Sequence, residues 1–95
     1  MYLKSIDNSF REVADALIGR QKAIEEREKL ERLVATLRHQ SRMADLRYRG
    51  GVSSYLEVLD TERQRLNFER DYSRGQYEEA LSLVTLYKAL GGGWQ

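Results

Sequence analysis

Two glycine clusters and a pair of serines are among the few residues of this chain whose types could build a chemical site. Gly50-Gly51 lacks the Gly-Lys-Ser/Thr sequel of a phosphate-binding loop, and Gly91-Gly92-Gly93 follows a predicted helix instead of preceding one. Ser53 and Ser54 have no histidine near them in sequence that could activate a hydroxyl. These patterns therefore predict neither phosphate binding nor nucleophilic catalysis.

Metal binding and acid–base chemistry find equally little support. His39 is the single histidine and the chain has no cysteine, so a metal site built from histidine and cysteine would lack a second ligand. The carboxylates alternate with basic residues at helical spacing, as in Glu25/Lys29 and Glu28/Arg32, which is typical of exposed helices. The sequence predicts no enzyme, no metal and no cofactor.

The charge balance bears on nucleic-acid binding. Charged residues make up 33% of the chain, yet the formal net charge is only +1, whereas nucleic-acid binders usually carry a strong basic excess. Several arginines cluster before the double glycine, at Arg38, Arg42, Arg47 and Arg49. A helical hairpin that grips RNA through phosphate contacts stays open as an alternative, although acidic residues at positions 45, 57 and 60 dilute the patch.

The elements that would position these residues are helices. Proline is absent, and apolar residues recur at alternating spacings of three and four, as in a heptad seam. Two runs precede the double glycine, the first at Leu3, Ile6, Phe10, Val13, Leu17, Arg20 and Ile24, the second at Leu30, Val34, Leu37, Ser41, Ala44 and Tyr48. Their offset predicts a slip of the seam near positions 24–27, and Gly19 is a predicted weak point of the helix.

Gly50-Gly51 predicts a turn between two long helices. Ser54 and Glu57 have the spacing of a capping box, in which Glu57 would reach back to the helix start. The glycines from position 91 predict the end of the second helix. The predicted organisation is a first helix over 1–49, a tip over 50–53, a second helix over 54–90 and a glycine-rich tail over 91–95.

Folding the chain at Gly51 predicts which residues pack together. Ala44 would lie near Leu59 and Leu37 near Leu66, with Arg63, Arg70 and Ser73 thinning the second seam. The predicted packing positions are Leu37, Ala44, Leu56, Leu59, Leu66, Tyr77, Val84 and Tyr87. The second helix is apolar on more than one face towards residue 90, which indicates burial on more than one side. The predicted fold is all-α, a long antiparallel helical hairpin resembling a coiled coil, that associates with other helices.

Two segments carry a resemblance to a known family. The segment Leu46-Arg47-Tyr48-x-x-Gly51-Val52-x-Ser54-Tyr55-Leu56-Glu57-Val58-Leu59-Asp60-x-x-Arg63 and the later Leu86-Tyr87-Lys88-Ala89-Leu90-Gly91-Gly92-Gly93-Trp94 resemble the C-terminal region of the TolC-like outer-membrane efflux proteins. Within that family the resemblance is greatest to the OprM-like lipoproteins of tripartite resistance–nodulation–division pumps. Nearly the whole chain is covered.

The resemblance implies an architecture and partners. In the family, three protomers form an outer-membrane β-barrel continued by a periplasmic α-barrel, and each protomer contributes two helical hairpins. This chain would be the second hairpin, a C-terminal fragment of a homotrimeric channel, located in the periplasm. Its partners would be a periplasmic adaptor protein and an inner-membrane pump that exports drugs or other compounds, with no nucleic acid. The isolated fragment would self-associate.

The resemblance also assigns roles to residues of the tip. Tyr48 matches a tyrosine that helps to hold the channel entrance closed in some members. Gly51 matches the tip glycine of the adaptor-binding motif, and Val52 and Ser54 lie where the tip meets the adaptor. The full predicted contact set is Tyr48, Gly50, Gly51, Val52, Ser53 and Ser54. TolC has an arginine two residues after the tip glycine, and Ser53 in that place argues against an arginine gate here.

One alternative from another functional class remains beside the RNA-binding hairpin. The heptad pattern alone also fits a free-standing coiled-coil scaffold or spacer, whose function would not depend on the tip.

Overall fold

A computed structural model describes the backbone of residues 2–91 and the side chains of residues 9–91. Helix α1 spans Tyr2–Arg49 and helix α2 spans Tyr55–Ala89. No strand occurs among residues 2–91, which confirms the predicted all-α helical hairpin. α1 passes through Gly19 without a break. The side chains of Leu3 and Ile6, and the tail positions 92–95, lie outside the described residues.

The ends of both helices follow from local sequence. Basic residues occupy the last turn of each helix, Arg47 and Arg49 in α1 and Lys88 in α2, where they complement the negative end of the helix dipole. After α2, Gly91 adopts a φ of 93° and its N–H donates to the Lys88 carbonyl over 3.1 Å. A glycine in this left-handed conformation closes the helix at little steric cost.

The chain divides into two compact units. The tip unit comprises Glu28–Arg74, and the terminal unit comprises Met1–Arg27 together with Gly75–Gln95. Each unit pairs one stretch of α1 with one stretch of α2.

The tip unit contains a small aliphatic core. Val34, Leu37 and Ala44 of α1 and Val58 of α2 are its buried hydrophobic residues, with Ala44 fully inaccessible at 0% exposure. Polar contacts between the helices flank this core. The Arg38 Nε of α1 donates to the Glu69 carboxylate of α2 over 2.7 Å, and the Tyr72 hydroxyl of α2 donates to Glu31 of α1 over 3.0 Å. Within α2, the Arg65 Nη1 also donates to Glu69 over 2.7 Å.

The terminal unit is held together differently. Among its described side chains, Ala16 is the buried hydrophobic residue. The Arg27 Nε donates to the Glu79 carboxylate over 2.7 Å, and the Arg20 guanidinium donates to the Glu79 backbone carbonyl over 3.4 Å. An open groove runs beside these contacts, with small residues such as Gly19 and Ser82 in its lining. Polar contacts therefore dominate this unit.

The predicted slip of the α1 seam is wrong. The least exposed positions of α1 keep one heptad phase, at Val13, Ala16, Arg20, Ala23 and Arg27 in the terminal unit and at Leu30, Val34, Leu37, Ser41 and Ala44 in the tip unit. The sequence pattern concealed this phase because alanines are weakly apolar and arginines count as polar. An arginine can nevertheless line a helix contact with its aliphatic stem while its head stays in water.

The predicted α2 seam is also wrong as the face that meets α1. The least exposed heptad positions of α2 are Val58, Thr61, Arg65, Phe68 and Tyr72 in the tip unit and Gly75, Glu79, Ser82, Leu86 and Ala89 in the terminal unit. Each member of this series lies two residues after a position of the predicted seam, so that Val58 follows Leu56 and Thr61 follows Leu59. Two residues correspond to about 200° of rotation around a helix, so the predicted seam lies on nearly the opposite face of α2.

That opposite face forms an apolar stripe open to solvent. We call it the outer stripe, and its large members are Leu56, Leu59, Leu66, Tyr77, Val84 and Tyr87. Leu56 is 74% exposed and Tyr77 is 65% exposed, so these side chains contribute little to the pairing with α1. Leu59 and Leu66 are therefore too exposed to be buried against Ala44 and Leu37 as predicted, and Val58 is instead the buried hydrophobic residue of α2 in the tip unit.

Candidate functional site

The tip is built by a hydrogen-bonded ending of α1. The N–H of Gly51 donates to the Tyr48 carbonyl over 3.0 Å, and the N–H of Val52 donates to the Arg47 carbonyl over 2.9 Å. This pair of bonds, with Gly51 at a φ of 76°, is a Schellman motif. The backbone of Val52 is thereby fixed to the end of α1.

The two tip glycines have different physical roles. A Cβ on Gly51 would meet no atom within 4 Å, yet its positive φ is strained for any residue with a side chain. A Cβ on Gly50 would lie 3.4 Å from the Leu46 carbonyl oxygen, which is ordinary van der Waals contact, and its φ is not positive. Glycine is therefore needed for the turn at position 51 and not at position 50.

The start of α2 differs from the predicted capping box. The Ser54 carbonyl accepts the N–H of Glu57 over 3.2 Å, as expected at a helix start. The Glu57 side chain, however, does not reach back to Ser54. One carboxylate oxygen accepts a hydrogen bond from the Ser53 hydroxyl, and the other accepts one from the Arg47 guanidinium. Arg47 can reach the Glu57 carboxylate because the loop at the tip brings the end of α1 beside the start of α2.

These contacts leave Glu57 ionised more readily than usual. The Ser53 hydroxyl, followed by the Arg47 guanidinium, lowers the pKa of the Glu57 carboxyl below its ordinary value, since both favour the charged form. We call Arg47, Ser53 and Glu57 the tip clamp. It joins the end of α1, the turn and the start of α2.

The apex of the turn presents an apolar side chain to solvent. Val52 is 79% exposed, more than any other large hydrophobic residue among the described side chains. Behind it, the rings of Tyr48 and Tyr55 lie 5.2 Å apart, centroid to centroid, with their planes inclined by 54°. Both rings remain partly exposed. The tip is therefore a fixed turn with an uncovered valine at its end.

The structure brings the predicted tip residues together, but not all equally. Gly50, Gly51, Val52 and Ser54 are exposed, while Ser53 is half-buried because its hydroxyl is engaged by Glu57. Sequence reasoning missed Arg47 and Glu57 as a pair. The sequence does carry a signal for this pair, because α1 ends on basic residues, α2 begins with an acidic one, and only a short loop separates the two helices.

No group of three or more His, Cys, Asp or Glu side chains that could hold a metal ion occurs among the described residues, and His39 is an exposed residue of α1. Neither helix, over the residues searched, contains a stretch long and apolar enough to cross a membrane.

Comparison with known proteins gives one consistent result. Residues 1–92 match the sequence profile of a family described as "Outer membrane efflux protein". The chain is 41% identical over 93 residues to the solvent efflux pump outer membrane protein SrpC of Pseudomonas putida, an alignment that covers 98% of the chain and 20% of SrpC. It is 39% identical over 94 residues to the cation efflux system protein CusC of Escherichia coli O157:H7, covering 99% of the chain and 20% of CusC.

A third relative, the outer membrane protein OprJ of Pseudomonas aeruginosa, is 36% identical over 93 residues, which is 98% of the chain and 19% of OprJ. The chain thus spans about a fifth of the length of the curated relatives that it matches.

Proposed function

This chain belongs to the outer membrane efflux protein family, and we propose that it forms a helical hairpin in the periplasmic wall of an efflux channel and docks a periplasmic adaptor protein through its tip. The function is transport, without a catalytic step. In the full-length protein the hairpin belongs to a homotrimer, and an inner-membrane pump delivers the transported compound to the channel.

The observation that carries the docking role is the exposure of Val52. An apolar side chain at the apex of a turn, 79% exposed, gains nothing for the folded hairpin. Burial against a partner would recover about 25 cal/mol for each square ångström of apolar surface removed from water. The Schellman motif keeps the valine in one place, so little conformational freedom is lost when a partner covers it.

The wall role is supported by the two faces of α2. One heptad face packs against α1, and the outer stripe on nearly the opposite side presents Leu56, Leu66 and Tyr77 to solvent. A helix that packs against one neighbour and carries an apolar stripe on its other side is suited to lie between two neighbours. We propose that further helices of the assembled channel cover the outer stripe and that this packing closes the wall.

Docking is tested by placing an aspartate at the apex of the hairpin turn in the full-length protein. Val52→Asp introduces a charge that docking would have to bury, and we expect export to be lost while the protein reaches the outer membrane in normal amount. Survival of cells under toluene and under metal salts measures export, because solvents and cations are named for the relatives. Gln40→Asp, at an exposed position within α1, is the matched control and should export normally.

A second measurement identifies the partner. A photoreactive cross-linking residue in place of Val52 should trap a periplasmic adaptor protein in growing cells, and the same residue in place of Gln40 should not. Normal export by Val52→Asp, together with no adaptor trapped at position 52, would disprove docking through the tip. A free-standing scaffold would give that result.

A further inference from the structure

The tip clamp holds three separate parts of the chain through one carboxylate. Arg47 belongs to the last turn of α1, Ser53 to the turn and Glu57 to the first turn of α2. The two oxygens of Glu57 are divided between the other two side chains. Among the described hydrogen bonds, no other carboxylate of one helix accepts both from a side chain of the other helix and from a side chain of the tip.

The clamp is poorly explained as a stabiliser of the hairpin. The side chains of Arg47 and Glu57 are 46% and 40% exposed, and ion pairs in such exposed positions usually contribute little to folding. The buried residues Val34, Leu37, Ala44 and Val58 hold the tip unit together without it. Its effect is therefore expected to be local.

The local effect concerns the residue at the apex. Val52 is tied to α1 through its N–H, which donates to the carbonyl of Arg47. The next residue, Ser53, is tied to α2 through Glu57. Arg47 takes part in both attachments, with its carbonyl in the first and its guanidinium in the second. The backbone on either side of Val52 is thus fixed to a different helix.

We propose that Arg47, Ser53 and Glu57 are positioning residues that hold Val52 in its docking orientation. This inference rests on the proposed docking function for its biological meaning. Its structural part, the restraint of the apex, can be tested separately. A segment ordered before binding loses less freedom on association, so loss of the clamp should weaken docking without abolishing it.

The first measurement is amide hydrogen exchange of the full-length protein, followed by mass spectrometry of peptides that cover residues 46–58. Glu57→Gln and Ser53→Ala should raise exchange at the tip by about threefold or more, since local opening becomes easier. Exchange in the rest of α1 and α2 should stay unchanged. Ser53→Thr keeps the hydroxyl and should restore slow exchange. Glu62→Gln, at an exposed position of α2, removes a carboxylate outside the clamp and serves as the control.

The second measurement is export under toluene and metal salts. Glu57→Gln and Ser53→Ala should export less than the parent protein and more than Val52→Asp, while Ser53→Thr exports like the parent. Unchanged tip exchange in both Glu57→Gln and Ser53→Ala would overturn the clamp, whatever Val52→Asp does. Fast exchange with normal export in the clamp variants would overturn their positioning role. Normal export by Val52→Asp would instead count against tip docking, with the exchange result still deciding the restraint.

Discussion

The tip unit and the terminal unit use the same two helices but different means of pairing them. In the tip unit, Val34, Leu37, Ala44 and Val58 are buried between α1 and α2. In the terminal unit, the equivalent heptad positions of α1 are filled by Val13, Ala16, Ala23 and two arginines, and the described buried hydrophobic residue is an alanine. Among the described side chains, the tip unit therefore has an aliphatic core, whereas the terminal unit has less apolar burial and two polar contacts between its helices.

The difference shows where the hairpin is self-sufficient. A buried aliphatic side chain stabilises folding by about 1.5–3 kcal/mol. An ion pair that stays partly exposed, such as Arg27–Glu79 with both side chains 23% exposed, usually contributes less. The tip unit can therefore hold its turn in place with its own residues. The terminal unit has less apolar burial of its own, which agrees with the proposal that other helices of the channel complete it.

The largest expected effect is a difference in lost folding stability between a leucine→alanine substitution in the tip unit and one in the terminal unit. Leu37→Ala empties a position that is 7% exposed and should destabilise the chain by about 2 kcal/mol through lost burial and a cavity. Leu17→Ala in the terminal unit alters a side chain that is 52% exposed and should change the free energy of unfolding by less than about 0.5 kcal/mol. Thermal unfolding followed by circular dichroism measures both, and equal losses would contradict the comparison.

A smaller effect contrasts two glycines. Gly51→Ala should cost about 1–2 kcal/mol because the turn requires a positive φ. Gly19→Ala should instead stabilise the chain by up to about 1 kcal/mol, since Gly19 lies within α1 and a Cβ there meets no atom within 4 Å. The two variants are compared by denaturant unfolding. Gly50→Ala is the control for a tip glycine without positive φ, and a cost equal to that of Gly51→Ala would disprove the role assigned to the turn.

The smallest expected effect is a pH dependence present in both units. Arg38 lowers the pKa of Glu69 in the tip unit, and Arg27 lowers that of Glu79 in the terminal unit. The unfolded chain then binds more protons in acid than the folded chain, so this stabilisation is complete above the ordinary glutamate pKa of about 4.3 and is lost as pH falls through the lowered value.

Glu69→Gln and Glu79→Gln should each reduce the fall in melting temperature between about pH 6 and pH 3. Thermal unfolding at several pH values, at one salt concentration, measures this fall. An unchanged slope in both variants would show that neither ion pair forms in solution, and an unchanged slope in one would limit ion pairing to the other unit.

Much of the fold was accessible from sequence because its signals are local. The lack of proline, the heptad spacings and the double glycine predict two helices and a turn. That Gly51, and not Gly50, takes the positive φ is known only from the structure. Leu37 and Ala44, two of the packing positions that the heptad pattern predicts, are buried in the structure.

The face of α2 could not be decided in the same way. α2 carries two heptad series, and the sequence pattern predicts the seam on the one richer in leucine, with Leu56, Leu59 and Leu66. The hairpin instead uses the series with Val58 and Phe68, because the geometry of the turn sets which side of α2 meets α1. Apolar periodicity indicates that a face is buried, but not which partner buries it.

The tip clamp escaped prediction for a related reason. A serine and a glutamate three residues apart suggest a capping box, and this local pattern was followed. The carboxylate found Arg47 and Ser53 because the turn places them nearer than the Ser54 backbone. Side-chain partners across a turn depend on the path of the backbone, which is not encoded in spacing alone.

The offset between the two faces of α2 has a consequence for curvature. Two residues turn a helix by about 200°, which leaves about 160° on the shorter side. Two neighbouring helices that pack on faces about 160° apart do not lie on one straight line through the central helix. A row of three such helices bends by about 20° at the middle one. In the channel wall that we propose, neighbours on both faces of α2 would therefore bend the wall in one direction at this helix. The two-residue phase difference would supply a bend of the kind that a closed tube requires.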